Sequence, residues 1–396
     1  MNDIPCVLTS EELASLRKPT SDAQGLPGRA YFDEGFYETE RRDVFASGWM
    51  AVGFASDIPK FGDVVPVSVA GWELVLVRGR DGVIQCFHNV CRHRGMKVVG
   101  QACNSRTLSC PYHRWTYGLD GKLIGTPAIA GVNRNEAPEF EKELLGLVPV
   151  RSGQWFDFIF VNMDGKARPL EEHLQPMRER IEPTFDLSLV QRGPGGRSGS
   201  REFPVNWKVV LEGSIEDYHL PYVHKAFKHS TDYYTEDGGE IYAGFSSRRD
   251  LGEALQRYAA QDEAGVSLPA FPAMERSGKA ETVVLFLFPN AILSCTPTYV
   301  STSIMLPLGP QRTAYSARTN FVNEGATDPR FEKLREENSA FWNDVFGEDD
   351  GIWKTIQAMS HVREELRLAT RFSPHWERAL HMFQKYVAKQ VARRSS

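Results

Sequence analysis

Cys91-Arg-His-Arg-Gly95 and Cys110-Pro-Tyr-His-Arg-Trp-Thr-Tyr-Gly-Leu-Asp-Gly-Lys122 are the stretches that decide how this chain of 396 residues folds. They read C-x-H, 16 intervening residues, then C-x-x-H. Two thiolates and two imidazoles in two short clips are the donor set of a metal site. Zinc takes such donors, but a zinc finger keeps both cysteines in one clip and both histidines in the other. Here each clip contributes one of each. In a Rieske [2Fe–2S] centre one iron is held by two thiolates and the other by two imidazoles, so two loops that each give one ligand to each iron can build it. The pattern points to Cys91, His93, Cys110 and His113 around such a cluster, with zinc as the alternative.

A cluster of this kind carries one electron and does no substrate chemistry. A pure electron carrier can stop near residue 165, whereas this chain runs on to residue 396, so a second site is expected downstream. That length suggests two domains with a sizeable core. Formal charge is −5 with no long basic run, which disfavours nucleic acid as a partner. No apolar stretch reaches the roughly 18 residues of a membrane span. The first residues, Met-Asn-Asp-Ile-Pro, lack the pattern of a signal or transit peptide, so the expected location is cytoplasmic. Cys6, Cys86, Cys103 and Cys295 are scattered and read as small buried hydrophobes.

Working outward from the clips, Thr9-Ser-Glu-Glu12 is a capping-box pattern that predicts a short helix, and Tyr37 to Phe45 predicts another. From Trp49 to Met163, β-rich runs (Val64–Val69, Trp72–Val77, Val83–Phe87, Gly146–Val150 and Phe156–Val161) are broken by Gly, Pro and Asp turns. That predicts a small antiparallel domain with both clips at one tip. The segment from Gln191 to Ser200, QRGPGGRSGS, is the most linker-like and reads as an exposed loop near the start of a second domain. Beyond it, Thr282–Phe288 and Tyr299–Leu306 look like strands and Phe331–Asp344 a helix. From His375 to Arg394, Trp376, Leu380, Phe383 and Val387 fall at helical spacing.

The second site lies in Asn206-Trp-Lys-Val-Val-Leu-Glu-Gly-Ser-Ile-Glu-Asp-Tyr-His-Leu-Pro-Tyr-Val-His224. Glu216 precedes His219 by three, and His224 follows it by five. On a helix Glu216 and His219 would share a face, and His224 comes within reach if the helix ends near Pro221. Two imidazoles and a carboxylate leave positions open for O2 on Fe(II). Glu348-Asp-Asp350 supplies the carboxylate candidates.

The clips and their flanks resemble the two cluster loops of Rieske-type ring-hydroxylating oxygenases, catalytic alpha subunit, and the resemblance covers nearly the whole chain. It implies an α+β fold: residues 1–45 as a helical segment packing on the catalytic domain, 46–165 as the Rieske antiparallel β domain, and 166–396 as a catalytic domain with an antiparallel sheet flanked by helices. It implies His219, His224 and a distant Asp as the ligands of a mononuclear Fe(II). Spacing to Gln357 selects Asp349, and the double-Asp form of other members selects Asp350; Asp349 is preferred. Glu216 is implied as a carboxylate bridging His219 and His113 of the partner subunit in a homotrimer. Most ring dioxygenases have Asp there, and Glu-x-Tyr-His looks like the branch of carnitine, choline and glycine-betaine oxygenases. Two departures stand out. Arg114 replaces the usual Gly after the second cluster His, and Gly213 replaces a frequent Asn.

The activity implied is use of O2 and electrons from NAD(P)H to hydroxylate or oxidatively N-demethylate a small quaternary ammonium or N-methylated substrate. The alternative is hydroxylation or demethylation of an aromatic compound. No dinucleotide fingerprint is visible, so a separate flavin/iron–sulfur reductase, with or without a ferredoxin, is the expected electron source. A quaternary ammonium needs aromatic walls. The candidates are Tyr218, Tyr222, Phe286, Phe288 and Tyr299.

Overall fold

The computed structural model describes residues 7–137, 139–229, 232–263 and 265–392. Cys6 and Arg394 lie outside them. The chain forms two compact units: Ala46–Ala167, and a second made of the chain from Arg168 onward with the N-terminal segment ending at Phe45.

In the N-terminal segment the capping box forms as its pattern predicts. Thr9 accepts from the Glu12 N–H, and the Glu12 carboxylate accepts from the Thr9 N–H at 2.7 Å, opening α1 (Ser10–Leu16). The second helix, α2 (Glu34–Glu40), starts earlier than expected because the Asp33 side chain caps it. A π turn, Arg41–Phe45, follows. This segment is tied to helices farther along its own unit, Trp207–Glu212 and Glu332–Glu365. Tyr31 donates to Glu212 at 2.9 Å, and Gln357 Nε2 donates to the Tyr31 carbonyl at 2.9 Å. Glu40 takes Lys208 at 2.6 Å and Trp207 Nε1 at 3.1 Å in a fully buried pair.

In Ala46–Ala167 the strands are β1 (Met50–Phe54), β2 (Asp63–Val69), β3 (Trp72–Arg78), β4 (Ile84–His88), β5 (Cys103–Asn104), β6 (Thr107–Ser109), β7 (Thr116–Gly118), β8 (Leu123–Gly125), β9 (Pro149–Trp155) and β10 (Phe158–Asn162). A sheet in the order β1-β10-β9-β4-β3-β2-β5 stands with a small β6-β7-β8 sheet. The β2–β3 hairpin closes on Ala70 and Gly71, both at positive φ (47° and 76°), the backbone that matches strand twist in a two-residue turn. The core packs Val64, Val75, Val77 and Phe87 against Leu108, Trp115 and Tyr117.

The second unit adds α3 (Leu170–Ile181), β11 (Val190–Arg192), β12 (Ser198–Phe203), α4 (Trp207–Glu212), α5 (Leu220–Val223), β13 (Tyr234–Asp237), β14 (Tyr242–Asp250), α6 (Leu251–Arg257), α7 (Pro272–Ser277), β15 (Lys279–Leu287), β16 (Ala291–Cys295), β17 (Tyr299–Gly309), β18 (Arg312–Val322), α8 (Glu332–Glu365) and α9 (Arg378–Val391). Its antiparallel sheet runs β11-β18-β17-β16-β15-β14-β13, with β12 also on β18. The fold is α+β, as the sequence implies. No helix among the described residues is long and apolar enough to cross a membrane.

Three expectations change. The linker-like stretch 191–200 is built into the sheet: its two ends pair with β18 at Asn320–Phe321 and Ser316–Arg318. Gly193 packs so tightly that a Cβ would sit 1.8 Å from the Ala326 carbonyl oxygen, so this glycine serves close approach rather than flexibility. The helix expected over 331–344 runs on to Glu365 through Gly347 and Gly351. Burial of Val345, Asp349, Trp353, Gln357 and Ser360 along one stripe outweighs the roughly 1 kcal/mol that each helical glycine costs. Finally, Cys103 is exposed on a two-residue edge strand, unlike Cys86 and Cys295, which are buried as expected.

Candidate metal centres

The two clips are copies of one backbone turn. Cys91 N–H donates to the Met96 carbonyl and Gly95 N–H to the Cys91 carbonyl; Cys110 N–H donates to the Trp115 carbonyl and Arg114 N–H to the Cys110 carbonyl. The first clip is closed by a Val90–Lys97 bridge, and the second is the turn between β6 and β7. Gly95 and Arg114 occupy the same left-handed position, φ 74° and 59°. Arg114 therefore adopts a backbone that suits the usual Gly better.

Cys91 and Cys110 are buried, each 2% exposed, while the rings of His93 and His113 are exposed with centroids 4.6 Å apart. Burial, reinforced by the neighbouring Cys91, pushes the Cys110 thiol up. Thiols thus face one another inside and imidazoles face one another outside. A single zinc would need all four donors to converge. Among the described residues only His219, His224 and Asp349 form such a convergent group of three or more. The separated pairs suit a two-iron cluster with unlike ligands on each iron. Tyr117 and Asn89 hold the loops, and the sequence reading passed over both. The Tyr117 hydroxyl lies 3.2 Å from Cys91 Sγ and accepts from the Arg92 N–H at 3.0 Å. Buried Asn89 accepts from Val98 and Val99 N–H and donates to the Val99 carbonyl.

At the second site, His219 and His224 flank α5, a single turn opened by Pro221. The expectation of a helix ending near Pro221 is reversed: proline pre-sets the first turn of a helix and needs no N–H there. Glu216 lies in the turn before α5. It binds the backbone N–H of Tyr218 and of His219 and the His219 Nδ1. Asp349 comes from the buried stripe of α8, its Oδ1 at 3.3 Å from His224 Nε2 and 3.8 Å from His219 Nε2. The two Nε2 atoms are 3.2 Å apart. Asp350 faces outward and pairs with Lys354 at 2.7 Å.

Each ring nitrogen that faces away from Asp349 has a carboxylate. Glu216 holds His219 Nδ1, and Glu348 Oε2 lies 2.8 Å from His224 Nδ1. Carboxylates of this kind fix the tautomer and orientation of ligating imidazoles. Burial lowers the His224 pKa, but Asp349 and Glu348 outweigh it and the net shift is upward. The role of Glu348 was missed; only its position one residue before Asp349 hinted at it. Gly213 also gains a reason: a Cβ there would lie 2.2 Å from Trp353 Nε1, so the indole fills the space of a longer side chain.

The three converging residues open on a cavity of about 150 Å³. Alternate residues of the sheet face it: Thr282 and Val284 of β15, Ile292 and Ser294 of β16, and Ser301 and Ser303 of β17. Phe227, Tyr258, Tyr299 and Trp342 form its aromatic side, with Trp342 Nε1 donating to the Tyr299 hydroxyl at 2.8 Å. Of the five aromatic candidates only Tyr299 lines it. Phe286 and Phe288 are buried core, and Tyr218 and Tyr222 are 45% and 76% exposed.

Residues 191–393 match the family model for the ring-hydroxylating alpha subunit (catalytic domain), and residues 48–136 match the Rieske [2Fe–2S] domain. With this fold and these two sites, the chain belongs to the ring-hydroxylating alpha-subunit family and is a Rieske-type non-haem iron oxygenase. It is 27% identical to the carnitine monooxygenase oxygenase subunit of Escherichia coli K12 over 341 residues, 83% of this chain and 82% of that one. It is 29% identical to the glycine betaine monooxygenase oxygenase subunit of Chromohalobacter salexigens over 275 residues, 69% and 59% of the two chains. A quaternary ammonium Rieske monooxygenase of solved structure shares the fold, with a TM-score of 0.78, 23% identity, and coverage of 96% of this chain and 98% of that one.

Proposed function

We propose that this chain is the terminal oxygenase for a small quaternary ammonium or N-methylated substrate, which it hydroxylates or oxidatively N-demethylates. The observation that carries this reading is the His219/His224/Asp349 group opening on a small, partly aromatic cavity, in a chain similar to carnitine and glycine betaine monooxygenases. Cys91 and Cys110 would hold one iron of the cluster and His93 and His113 the other. His219, His224 and Asp349 would hold the mononuclear iron, which supplies O2 activation when bound. The chain's own residues orient and shield. Glu216 and Glu348 fix the two imidazoles, Asp349 leaves the cavity side of the group open, and the aromatic side excludes water.

Overall, one O2, two electrons and two protons enter, and a hydroxylated carbon and one water leave. The electrons come from NAD(P)H through a separate flavin/iron–sulfur reductase, with or without a ferredoxin. Glu216 bridges His219 to His113 of the partner subunit in a homotrimer, and the protein works in the cytoplasm. Residues 1–45, 46–165 and 166–396 act as the N-terminal segment, Rieske domain and catalytic domain.

The test is iron- and sulfide-reconstituted protein with a surrogate reductase, NADH and a panel of N-methylated and aromatic compounds, following O2 and product together. Product formed in step with O2 uptake from an ammonium compound is expected. Coupled turnover of aromatic compounds alone would overturn the substrate assignment.

A further inference from the structure

Arg197 sits in the glycine-rich stretch that joins β11 to β12, is 8% exposed, and lines the same cavity as His219, His224 and Asp349. A guanidinium always carries its charge, and one this deeply buried is normally paired with an acid. Among the described residues no carboxylate pairs with it. Its neighbours are rings: Phe346 at 4.3 Å and Tyr315 at 5.3 Å from the guanidinium carbon. The cavity's acids are engaged elsewhere. Glu216 is on His219, and Asp349 faces both imidazoles. Asp217 lies in the field of Arg257 and Arg249. Next to Arg197 the lining is hydroxylic, with Tyr315 and Ser303 3.0 Å apart. A buried cation stacked on aromatics beside hydroxyl groups, with no acid of its own, is half of an ion pair whose other half is missing from the chain.

We propose that Arg197 is a specificity-determining anchor for a carboxylate on the substrate. Resting on the ammonium reading above, the substrate class is then an N-methylated zwitterion of betaine type, not an amino alcohol. The architecture sets the scale. Phe346 precedes Asp349 by three residues on α8, so the ring under the guanidinium is about one helical turn, ~5 Å of axis, from the iron-ligand position. A short molecule can put its carboxylate on Arg197 and an N-methyl or adjacent carbon at the His219/His224/Asp349 end. A choline-like molecule would leave the guanidinium desolvated and unpaired.

The experiment uses the reconstituted holoprotein and three probes of equal length: γ-butyrobetaine, the same molecule with its carboxylate reduced to an alcohol, and 5,5-dimethylhexanoate, in which carbon replaces the ammonium nitrogen. Binding is measured by calorimetry and KM by product formation. In the wild type the alcohol should bind about 30-fold or more weaker than γ-butyrobetaine, the scale of losing one partner of a buried charge pair. Arg197→Gln should weaken γ-butyrobetaine by a similar factor and leave the alcohol nearly unchanged, with Arg197→Lys restoring part of the preference. Equal binding of alcohol and betaine by the wild type would overturn the anchor. So would equal losses for both in Arg197→Gln, the mark of a merely structural guanidinium, or failure of both carboxylates to bind. If Arg197→Gln loses its metals or its fold, the wild-type comparison decides alone. Turnover of 5,5-dimethylhexanoate as efficient as that of γ-butyrobetaine, with the alcohol still rejected, would keep the anchor and remove the ammonium assignment.

Discussion

Glu348→Ala should weaken iron binding at the mononuclear site without touching the cluster. Glu348 Oε2 lies 2.8 Å from His224 Nδ1, so the carboxylate holds the ring with Nε2 turned toward Asp349. Loss of such an outer carboxylate costs about 10–100-fold in metal affinity, or ~1.4–2.7 kcal/mol. Two structural facts place the effect within that range. His224 is 1% exposed, so water cannot easily replace the lost partner, which favours the upper half. The Glu348 side chain is 39% exposed, so its charge is partly screened and the hydrogen bond matters more than the field. Glu348→Gln keeps an acceptor at the same place and should therefore fall between wild type and Glu348→Ala. The assay is competition between protein and a ferrous chelator, with the cluster's visible absorbance as internal control. An iron affinity within twofold of wild type in Glu348→Ala would refute the orienting role, and loss of the cluster signal would show general misfolding instead.

Asp349→Ala should empty the mononuclear site and abolish turnover, whereas Asp350→Ala should cost only its exposed pair with Lys354, about 0.3–0.5 kcal/mol by thermal melting; the reverse pattern in iron content would move the ligand to Asp350. Glu216→Gln should weaken the mononuclear iron no more than Glu348→Gln does, yet once iron-loaded fail to pass electrons from reduced cluster to iron, read by single-turnover mixing with O2 and substrate, and normal product yield would defeat the proposed bridging role. Gly213→Ala should destabilise by about 1–3 kcal/mol because its Cβ would meet Trp353 Nε1, and an unchanged melting temperature would show that the indole moves freely. Burial raises the Glu212 carboxyl to about 7 despite donors from Tyr31 and Gln384. With the folded value above the unfolded one, its stabilising contribution is complete below the ordinary carboxylate range and lost as pH rises through about 7. Glu212→Gln should thus flatten the fall in melting temperature between pH 5 and 8, and an unaltered slope would assign it elsewhere.

The cluster clips and the His219/His224 pair were legible because chemistry fixes their spacing in sequence, and a local motif carries its own geometry. Asp349 was half legible. Its neighbours offered two acids, and only the stripe Val345, Asp349, Trp353, Gln357 shows which one turns inward. Glu348, Tyr117 and Asn89 were invisible for a different reason. They act through partners far away in the chain or across a loop, and nothing in their own surroundings marks them. The sheet strands read well where alternation is clean, as in β15 and β17. The glycine-rich stretch 191–200 misled because Gly and Ser are ambiguous: they serve loose chain and tight approach alike, and only the Ala326 carbonyl against Gly193 distinguishes the two. Composition likewise hid Arg197, which looks like a solvated loop charge until the cavity behind it is seen.

The bonds that tie Tyr31, Glu40 and their neighbours to Lys208, Glu212, Gln357 and Gln384 have a consequence for the order in which the protein matures on the ribosome. Gln384 donates to the Tyr31 hydroxyl across 353 residues of sequence. At ~5–20 residues per second, Tyr31 waits roughly 20–70 s for that partner after it is made. All the strands of Ala46–Ala167 are synthesised in the meantime, so this inserted unit can complete its sheet while its host is still being translated. Phe36, Phe45 and the fully buried Glu40 cannot complete their native burial until Trp207 and Lys208 of α4, and then α9, have emerged. The nascent chain therefore carries an apolar leading segment through most of its synthesis. Truncated or stalled chains should accumulate with a closed inserted unit and an open, aggregation-prone host.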